Sequence, residues 1–255
     1  MIAFDGVTKT YAGRRVVGPL SLSITPGEFV AFLGESGSGK TTTLKMINGL
    51  AVPDAGTVSI DGRPVGADPL PSLRRRIGYV FQEIGLFPHL SVAENIAVGP
   101  RLAGWPPPRI AARTAELLSL IALPADIAGR LPAALSGGQR QRVGLARALA
   151  AGPGIMLMDE PFGALDPVTR DALGRDYRAL HERLGLTTVM VTHDVLEALL
   201  LADRIVVLGS GRIVADGPPG ALLAHQEDPG VRRLMETPQR QLRRLEALEK
   251  GGAHG

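Results

Sequence analysis

The chain has 255 residues and a formal net charge of +3, and 45% of its residues are hydrophobic. It contains no cysteine, which excludes disulfide bonds and metal sites with thiolate ligands. The first residues lack the charged and apolar regions of a signal peptide, and no apolar run reaches the roughly 18–20 residues that a membrane span needs. We therefore expect a soluble, cytoplasmic protein that reaches a membrane only through a partner.

The first part of the chain is predicted to be rich in strands. Residues 2–32 alternate strand-like runs with turns at Ala12-Gly13 and Pro26-Gly27. Residues 57–60, followed by Asp61-Gly62, are typical of a hairpin strand and its turn.

Residues from about 84 to 150 are predicted to be mostly helical, with helices over 91–98 and 109–120. Between them, Trp105 and three prolines (106–108) predict a stiff, exposed linker. Strands and helices then alternate, which favours a parallel sheet covered by helices. The predicted elements are strand 155–159, helix 167–184, strand 187–192, helix 194–202 and strand 204–208.

A glycine-rich loop separates the predicted buried strand 28–33 from the predicted helix 41–50. Its residues fit G-x-x-x-x-G-K-[ST], the phosphate-binding loop of nucleoside triphosphatases, and this strand–loop–helix context supports the match. Such a loop aims backbone N–H groups at phosphates, while its lysine contacts the β- and γ-phosphates and the following hydroxyl ligates Mg²⁺. The predicted residues are Gly34, Ser36, Gly37, Ser38, Gly39, Lys40, Thr41 and Thr42.

Two carboxylates, Asp159 and Glu160, follow the apolar run 155–158. Ligands bind at the carboxyl ends of strands in open α/β sheets. Asp159 is predicted to hold Mg²⁺, through water, and Glu160 to orient and deprotonate an attacking water. Alternatively, the two acidic residues serve only as capping or turn residues before Pro161.

Ser136 is predicted to be the N-cap of a helix that begins at Gly137. A helix N-terminus with two glycines offers N–H groups to an anion. Since the phosphates already have a site at residues 34–42, this helix has no obvious ligand in its own chain. A serine N-cap alone is also typical of an ordinary surface helix that binds no ligand.

Together these motifs resemble the ATP-binding-cassette (ABC) family of transport ATPases over residues 2–225. The resemblance is carried by Leu-Ser-Gly-Gly-Gln at 135–139, Asp-Glu-Pro at 159–161, Gly-Ala-Leu-Asp-Pro at 163–167 and Val-Thr-His-Asp at 191–194. It implies an α/β fold with a P-loop NTPase core and a mixed, mainly parallel sheet. It also implies an antiparallel β subdomain and an inserted helical subdomain at about 84–150, all within a domain at 1–235. The charged tail at 236–255 is expected to be partly disordered.

The resemblance also implies a role for individual residues. Gln82 would reach Mg²⁺ and the attacking water, and His193 the γ-phosphate, whereas Tyr11 would stack on adenine. The alternatives are that Gln82 is a solvated turn residue, that His193 is a structural histidine and that Tyr11 is an edge-strand residue. The signature residues would cap the γ-phosphate held by a second copy, so ATP would lie between two subunits of a homodimer, and Asp166 would lie at their interface. These signature residues are Ser136, Gly137, Gly138 and Gln139.

Partners follow from the same resemblance. A membrane permease would dock beside the loop that begins at Gln82, called here the glutamine loop, where Ile84, Leu86, Phe87 and Leu90 are apolar. These residues could instead belong to the core of the helical subdomain. Residues 77–96 and 159–167 are similar to quaternary-amine uptake ATPases, which implies a glycine betaine or choline importer with a solute-binding protein. Only about thirty residues follow the cassette, too few for the nucleotide-sensing modules that some of those ATPases carry.

Other classes are less favoured by the sequence. Arginine clusters at 74–76 and at Arg140, Arg142 and Arg147 could bind nucleic acid, but no aromatic residues are interleaved with them, so no nucleic-acid partner is expected. A cassette ATPase of DNA repair or translation would carry a long coiled coil or two fused cassettes. A phosphate-loop kinase would have no use for the signature. An importer for an amino acid or a polyamine remains open.

Overall fold

The computed structural model describes residues 1–224 and 228–236, and Arg240. The described chain includes ten strands and eight α-helices, and residues 229–236 are also helical. The strands are Ile2–Tyr11 (β1), Arg14–Ile24 (β2), Phe29–Leu33 (β3), Ala55–Ile60 (β4), Arg63–Pro64 (β5), Ile77–Val80 (β6), Ile155–Asp159 (β7), Thr187–Val191 (β8), Arg204–Gly209 (β9) and Arg212–Gly217 (β10). The helices are Lys40–Ile47 (α1), Leu70–Arg74 (α2), Val92–Leu102 (α3), Pro107–Leu120 (α4), Gly137–Leu149 (α5), Pro167–Leu184 (α6), Val195–Leu201 (α7) and Pro219–Ala224 (α8).

A six-stranded sheet in the order β10-β9-β3-β8-β7-β6 forms the centre of the molecule. All its pairings are parallel except that of β10 with β9. Every residue of β3 and β8 is buried, as expected of apolar strands covered by helices on both faces. Because the parallel strands share one direction, the loops after β3, β6, β7 and β8 emerge at the same edge of the sheet.

A second sheet, ordered β2-β1-β4-β5, is antiparallel. Its inward side chains, such as Phe4 and Leu20, join α1 and one face of the central sheet in a common core. The predicted hairpin is confirmed, since β4 and β5 are joined by Asp61 and Gly62, both with positive φ. The antiparallel β layer and the mixed central sheet confirm the predicted α/β fold class.

Helices α3, α4 and α5 lie between β6 and β7 along the chain, in the region that the sequence predicts to be helical. Ser91 and Glu94 form a capping box at the start of α3. Arg113 of α4 donates to the carbonyl oxygens of Leu149 and Ala150 at the end of α5. The capping box fixes the start of α3, and the Arg113 contacts join α4 to the end of α5.

The predicted linker at residues 105–108 is wrong in part. Helix α4 already begins at Pro107, because proline has a suitable φ for the first helical turn and that turn requires no N–H donor there. Trp105 is partly buried, and the Arg109 guanidinium lies 3.6 Å from its ring centroid. Only Trp105 and Pro106 therefore link α3 to α4 as predicted, after the two turn residues 103–104.

The end of the described chain packs on the same molecule. In the helical segment 229–236, Val231 and Met235 are buried in the core. Most of the charged tail at 236–255 lies outside the described residues, so the expectation that it is partly disordered stays a prediction. None of the described helices is both long enough and apolar enough to cross a membrane.

Candidate functional site

The phosphate-binding loop follows β3 and leads into α1, as the sequence predicts. Two glycines in it have no room for a side chain. A Cβ at Gly34 would lie 2.2 Å from the Leu208 carbonyl oxygen, and one at Gly39 would lie 2.6 Å from that of Val16. Both also have positive φ, so glycine is required on two grounds.

Lys40 is directed back over this loop. Its Nζ donates to the carbonyl oxygens of Gly34 at 2.7 Å and Glu35 at 2.8 Å, and the residue is buried. Burial lowers the pKa of Lys40, while the nearby Glu160 and Asp159 oppose that shift. The loop therefore holds a fixed cation beside two carboxylates.

Asp159, at the end of β7, meets the first turn of α1. The Thr41 hydroxyl donates to Asp159 Oδ1 at 2.8 Å. Burial is the main cause that raises the pKa of Asp159. Two hard oxygen donors are thus adjacent, which suits Mg²⁺.

The described residues contain no group of three or more histidines, cysteines, aspartates or glutamates that could hold a metal. Mg²⁺ in nucleotide sites uses one or two protein ligands and completes its shell with water and phosphate oxygens.

Glu160 lies between two other predicted site residues. Its Oε2 accepts a hydrogen bond from Gln82 Nε2 at 3.0 Å and lies 3.4 Å from His193 Nδ1. Its N–H donates to the Val191 carbonyl at 2.9 Å, and its φ is 46°. The structure therefore brings Gln82, Glu160 and His193, which follow three different strands, into one cluster beside the Thr41–Asp159 pair.

Helix α5 holds the glutamine loop through contacts that no motif in the sequence indicates. Arg147 donates to the carbonyl oxygens of Gly85 at 2.6 Å and Ile84 at 2.8 Å. The other two arginines of this cluster on α5 are also engaged internally, Arg140 with the Leu135 carbonyl and Arg142 with Asp176. Each of the three arginines on α5 thus makes a contact within the fold, and the expectation that no nucleic acid binds stays a prediction.

The predicted cap of α5 is present. Ser136 Oγ accepts from Gln139 N, and the Gln139 side chain accepts from Ser136 N, forming a capping box. A Cβ at Gly138 would lie 2.8 Å from Thr169 Cγ2, so the start of α5 packs closely on the start of α6. Asp166 caps that second helix by accepting from Thr169 N.

The described residues show no hydrogen bond between this signature region and the phosphate loop of the same chain. Tyr11, at the end of β1, is also not joined to that loop by a described hydrogen bond. Its ring is 49% exposed and has the Lys9 ammonium 5.2 Å from its centroid. The adenine role of Tyr11 and the partner role of the signature therefore stay predictions.

More than half of the chain matches a known protein family. A family model described as ABC transporter matches residues 17–163. The chain belongs to the ABC transporter family. The family resemblance found in the sequence is thereby confirmed.

Similar sequences in this family include a choline transport protein and a glycine betaine uptake protein. The chain is 49% identical to the choline transport ATP-binding protein OpuBA of Bacillus subtilis (strain 168), over 91% of this chain and 61% of that protein. It is 48% identical to the glycine betaine uptake system ATP-binding protein YehX of Escherichia coli (strain K12), over 91% of this chain and 76% of that one. The chain thus spans less than two thirds of the length of the choline relative.

Family structures share the fold as well. One is the dimeric structure of a post-hydrolysis state of the ATP-binding cassette MJ0796 bound to ADP and Pi. Its TM-score is 0.79 at 36% identity, covering 86% of this chain and 99% of that one.

Proposed function

We propose that this chain binds and hydrolyses ATP as the energising subunit of an ABC importer. The observation that carries the proposal is the cluster of Gln82, Glu160 and His193 beside the Thr41–Asp159 pair. A phosphate cradle with a fixed lysine alone would fit many nucleotide-binding proteins. A carboxylate held between an amide and an imidazole at the edge of that cradle adds a means of activating water.

Each residue of the cluster then has a distinct task. Glu160 accepts the proton of the attacking water, for which a positioned general base typically supplies about 10²–10⁴ in rate. Gln82 holds the carboxylate and the water in place, and His193 donates a hydrogen bond toward the γ-phosphate. Lys40 gives the charge-assisted contact to the β- and γ-phosphates.

Thr41 and Asp159 would hold Mg²⁺, with Gln82 as a further ligand. The bound ion neutralises charge on the phosphate oxygens. The protein's contribution is two oxygen donors already positioned 2.8 Å apart by β7 and α1.

A homodimer completes the site in this proposal. The N–H groups at the start of α5 are suited to an anion, yet the phosphate loop of the same chain is a separate region. Ser136 to Gln139 therefore contact the γ-phosphate held by a second copy, and Asp166, next to them, crosses the interface. The dimeric MJ0796 cassette supports this arrangement.

A permease docks beside the glutamine loop, at the cytoplasmic face of the membrane. Phe87 is 42% exposed, while Asn95 fixes its backbone by hydrogen bonds in both directions. An exposed aromatic ring on an anchored backbone is suited to contact a partner. Leu86, in contrast, packs against the core, which favours the core alternative for that residue.

The solute is a quaternary amine such as glycine betaine or choline, delivered to the permease by a solute-binding protein. The relatives that transport choline and glycine betaine support this solute class. An importer for another solute is the alternative. Uptake of labelled betaine and choline in a strain lacking this chain distinguishes them: a defect confined to other solutes would overturn the solute assignment.

Phosphate release by the purified chain with ATP and Mg²⁺ tests the core of the proposal. Lys40→Ala should weaken ATP binding because it removes a charge-assisted contact with phosphate. Unchanged ATP affinity in that variant, or a phosphorylated small molecule as product, would refute the proposal.

A further inference from the structure

Arg170, in the first turn of α6, connects two loops that carry predicted catalytic residues. Its Nη1 donates to Asp194 Oδ2 at 2.9 Å, next to His193. Its Nη2 donates to the Leu165 carbonyl at 3.1 Å, in the loop that follows Glu160. One planar guanidinium thus spans the gap between the two loops.

The histidine loop is organised around the same arginine. Asp194 caps α7 by accepting from the N–H groups of Leu196 and Glu197 through Oδ1, which leaves Oδ2 for Arg170. The Thr192 hydroxyl donates to Glu197 Oε2 at 2.6 Å, and the Asp194 N–H donates to that hydroxyl at 2.9 Å. Both neighbours of His193 are therefore fixed by side chains.

Glu197 extends this network to Arg170. Its side chain is only 7% exposed, and its Oε1 lies 3.7 Å from Arg170 Nε, which makes no hydrogen bond among the described residues. Asp194 and Glu197 are thus two acids opposed by one cation in a partly buried place. Removing that cation would leave the carboxylates of Asp194 and Glu197 near each other without an opposing charge, which is unfavourable in a partly buried place.

We propose that Arg170 is a positioning residue for ATP hydrolysis, which keeps His193 within reach of Glu160 by holding the loops 163–165 and 192–197 together. The inference rests on the proposed function. Arg170 acts through the two loops, and it touches neither the nucleotide nor the water.

The matched control is Arg178, two turns further along α6. Both arginines have side chains 28% exposed and pair with two carboxylates. Arg178 pairs with Glu182 and Asp203, away from the cluster of Glu160 and His193. Substituting either arginine should affect folding to a similar extent. A difference in turnover between the two variants would therefore reflect the location of Arg170 beside the two loops.

The experiment compares steady-state ATP hydrolysis and melting temperature for Arg170→Ala, Arg170→Lys and Arg178→Ala. We expect Arg170→Ala to lower kcat between about 10- and 100-fold with little change in KM, since small displacements of catalytic groups have effects of this size. Lysine keeps the charge near Asp194 but cannot also span to the Leu165 carbonyl, so its kcat should be intermediate. Arg178→Ala should keep kcat within about twofold of the unsubstituted chain.

Repeating the comparison in a chain that already carries His193→Ala distinguishes a positioning role of Arg170 from a general destabilisation of the fold. In a chain with His193→Ala, the effect of Arg170→Ala on kcat should shrink to about twofold, because residues that act as a unit are not additive. An undiminished effect there, or unchanged kcat in Arg170→Ala and Arg170→Lys, would overturn the inference alone. Absence of ATP hydrolysis in the unsubstituted chain would overturn the proposed function and this inference with it.

Discussion

Thr41 and Asp159 are 118 residues apart in sequence, yet the threonine hydroxyl donates to the aspartate at 2.8 Å. If this pair holds Mg²⁺, Asp159→Asn should raise the Mg²⁺ concentration that gives half-maximal ATP hydrolysis, by about tenfold or more, because a neutral amide is a weaker ligand for a hard cation. A titration of activity with Mg²⁺ at saturating ATP measures this. An unchanged midpoint would exclude Asp159 from the metal site.

Glu160→Gln should retain ATP binding but lose about 10²–10⁴ in turnover, since the amide can contact water but cannot accept its proton. Phosphate release and nucleotide affinity are the two measurements. Glu182→Gln is the control, because Glu182 is an exposed acid paired with Arg178 on α6. Activity of Glu160→Gln within about twofold of the unsubstituted chain would contradict the assigned role.

Ser136→Arg should prevent ATP-dependent dimerisation, because it puts a bulky cation where a small hydroxyl would meet the partner's phosphate. Size-exclusion chromatography with ATP, in the Glu160→Gln background that slows hydrolysis, measures the dimer. Ser119→Arg, at an exposed position of α4, is the matched control and should still dimerise. If Ser136→Arg still forms ATP-dependent dimers, Ser136 does not contact the phosphate held by the partner.

Phe87→Asp should spare the basal ATPase activity of the isolated chain and abolish co-purification with the permease. The ring is 42% exposed, so its replacement leaves the described core intact. Leu200→Asp, at a position of α7 that is 70% exposed, is the control. A cooperative loss of the circular dichroism signal in Phe87→Asp alone would show that the residue belongs to the core.

His181 should make folding stability fall at acidic pH. Its Nδ1 lies 3.0 Å from the Thr188 hydroxyl oxygen, which also contacts the Tyr177 hydroxyl at 2.7 Å. Burial, followed by repulsion from Arg178, lowers the pKa of His181 below its ordinary 6.5. The unfolded chain therefore binds the proton more readily, and stability is lost as pH falls from 6.5 toward the folded value.

Melting temperatures at several pH values between about 5 and 8 test this prediction. The difference between the unsubstituted chain and His181→Gln isolates the histidine. That comparison is needed because the raised pKa values of Asp159 and Glu197 act in the opposite direction. An equal slope in both proteins would contradict the prediction.

The sequence predicted those parts of the site that depend on local pattern. The phosphate loop, the strand that ends at Asp159 and the cap at Ser136 each combine a short motif with a matching flank. Helix α6 even has the predicted bounds, since Asp166 caps its start and Gly185, with φ 61°, ends it. The catalytic roles of these residues, in contrast, stay predictions.

Contacts between side chains and distant backbone could not be predicted in the same way. Arg147 reaches carbonyl oxygens 62 and 63 residues away, and Arg170 joins loops on both sides of α6. Any exposed carbonyl can accept such a bond, so the accepting residue leaves no mark in the sequence. An arginine on a helix then resembles a surface charge until the tertiary structure places it.

The left-handed backbone of Glu160 has a consequence for how this protein can change. A residue with a side chain at φ 46° is strained by about 1–3 kcal/mol relative to ordinary backbone. Glycine or asparagine would adopt that conformation more easily, but neither could act as the general base. Selection for heat resistance alone would therefore favour inactive chains at this position, and an active chain must tolerate a local weakness where its proposed chemistry takes place.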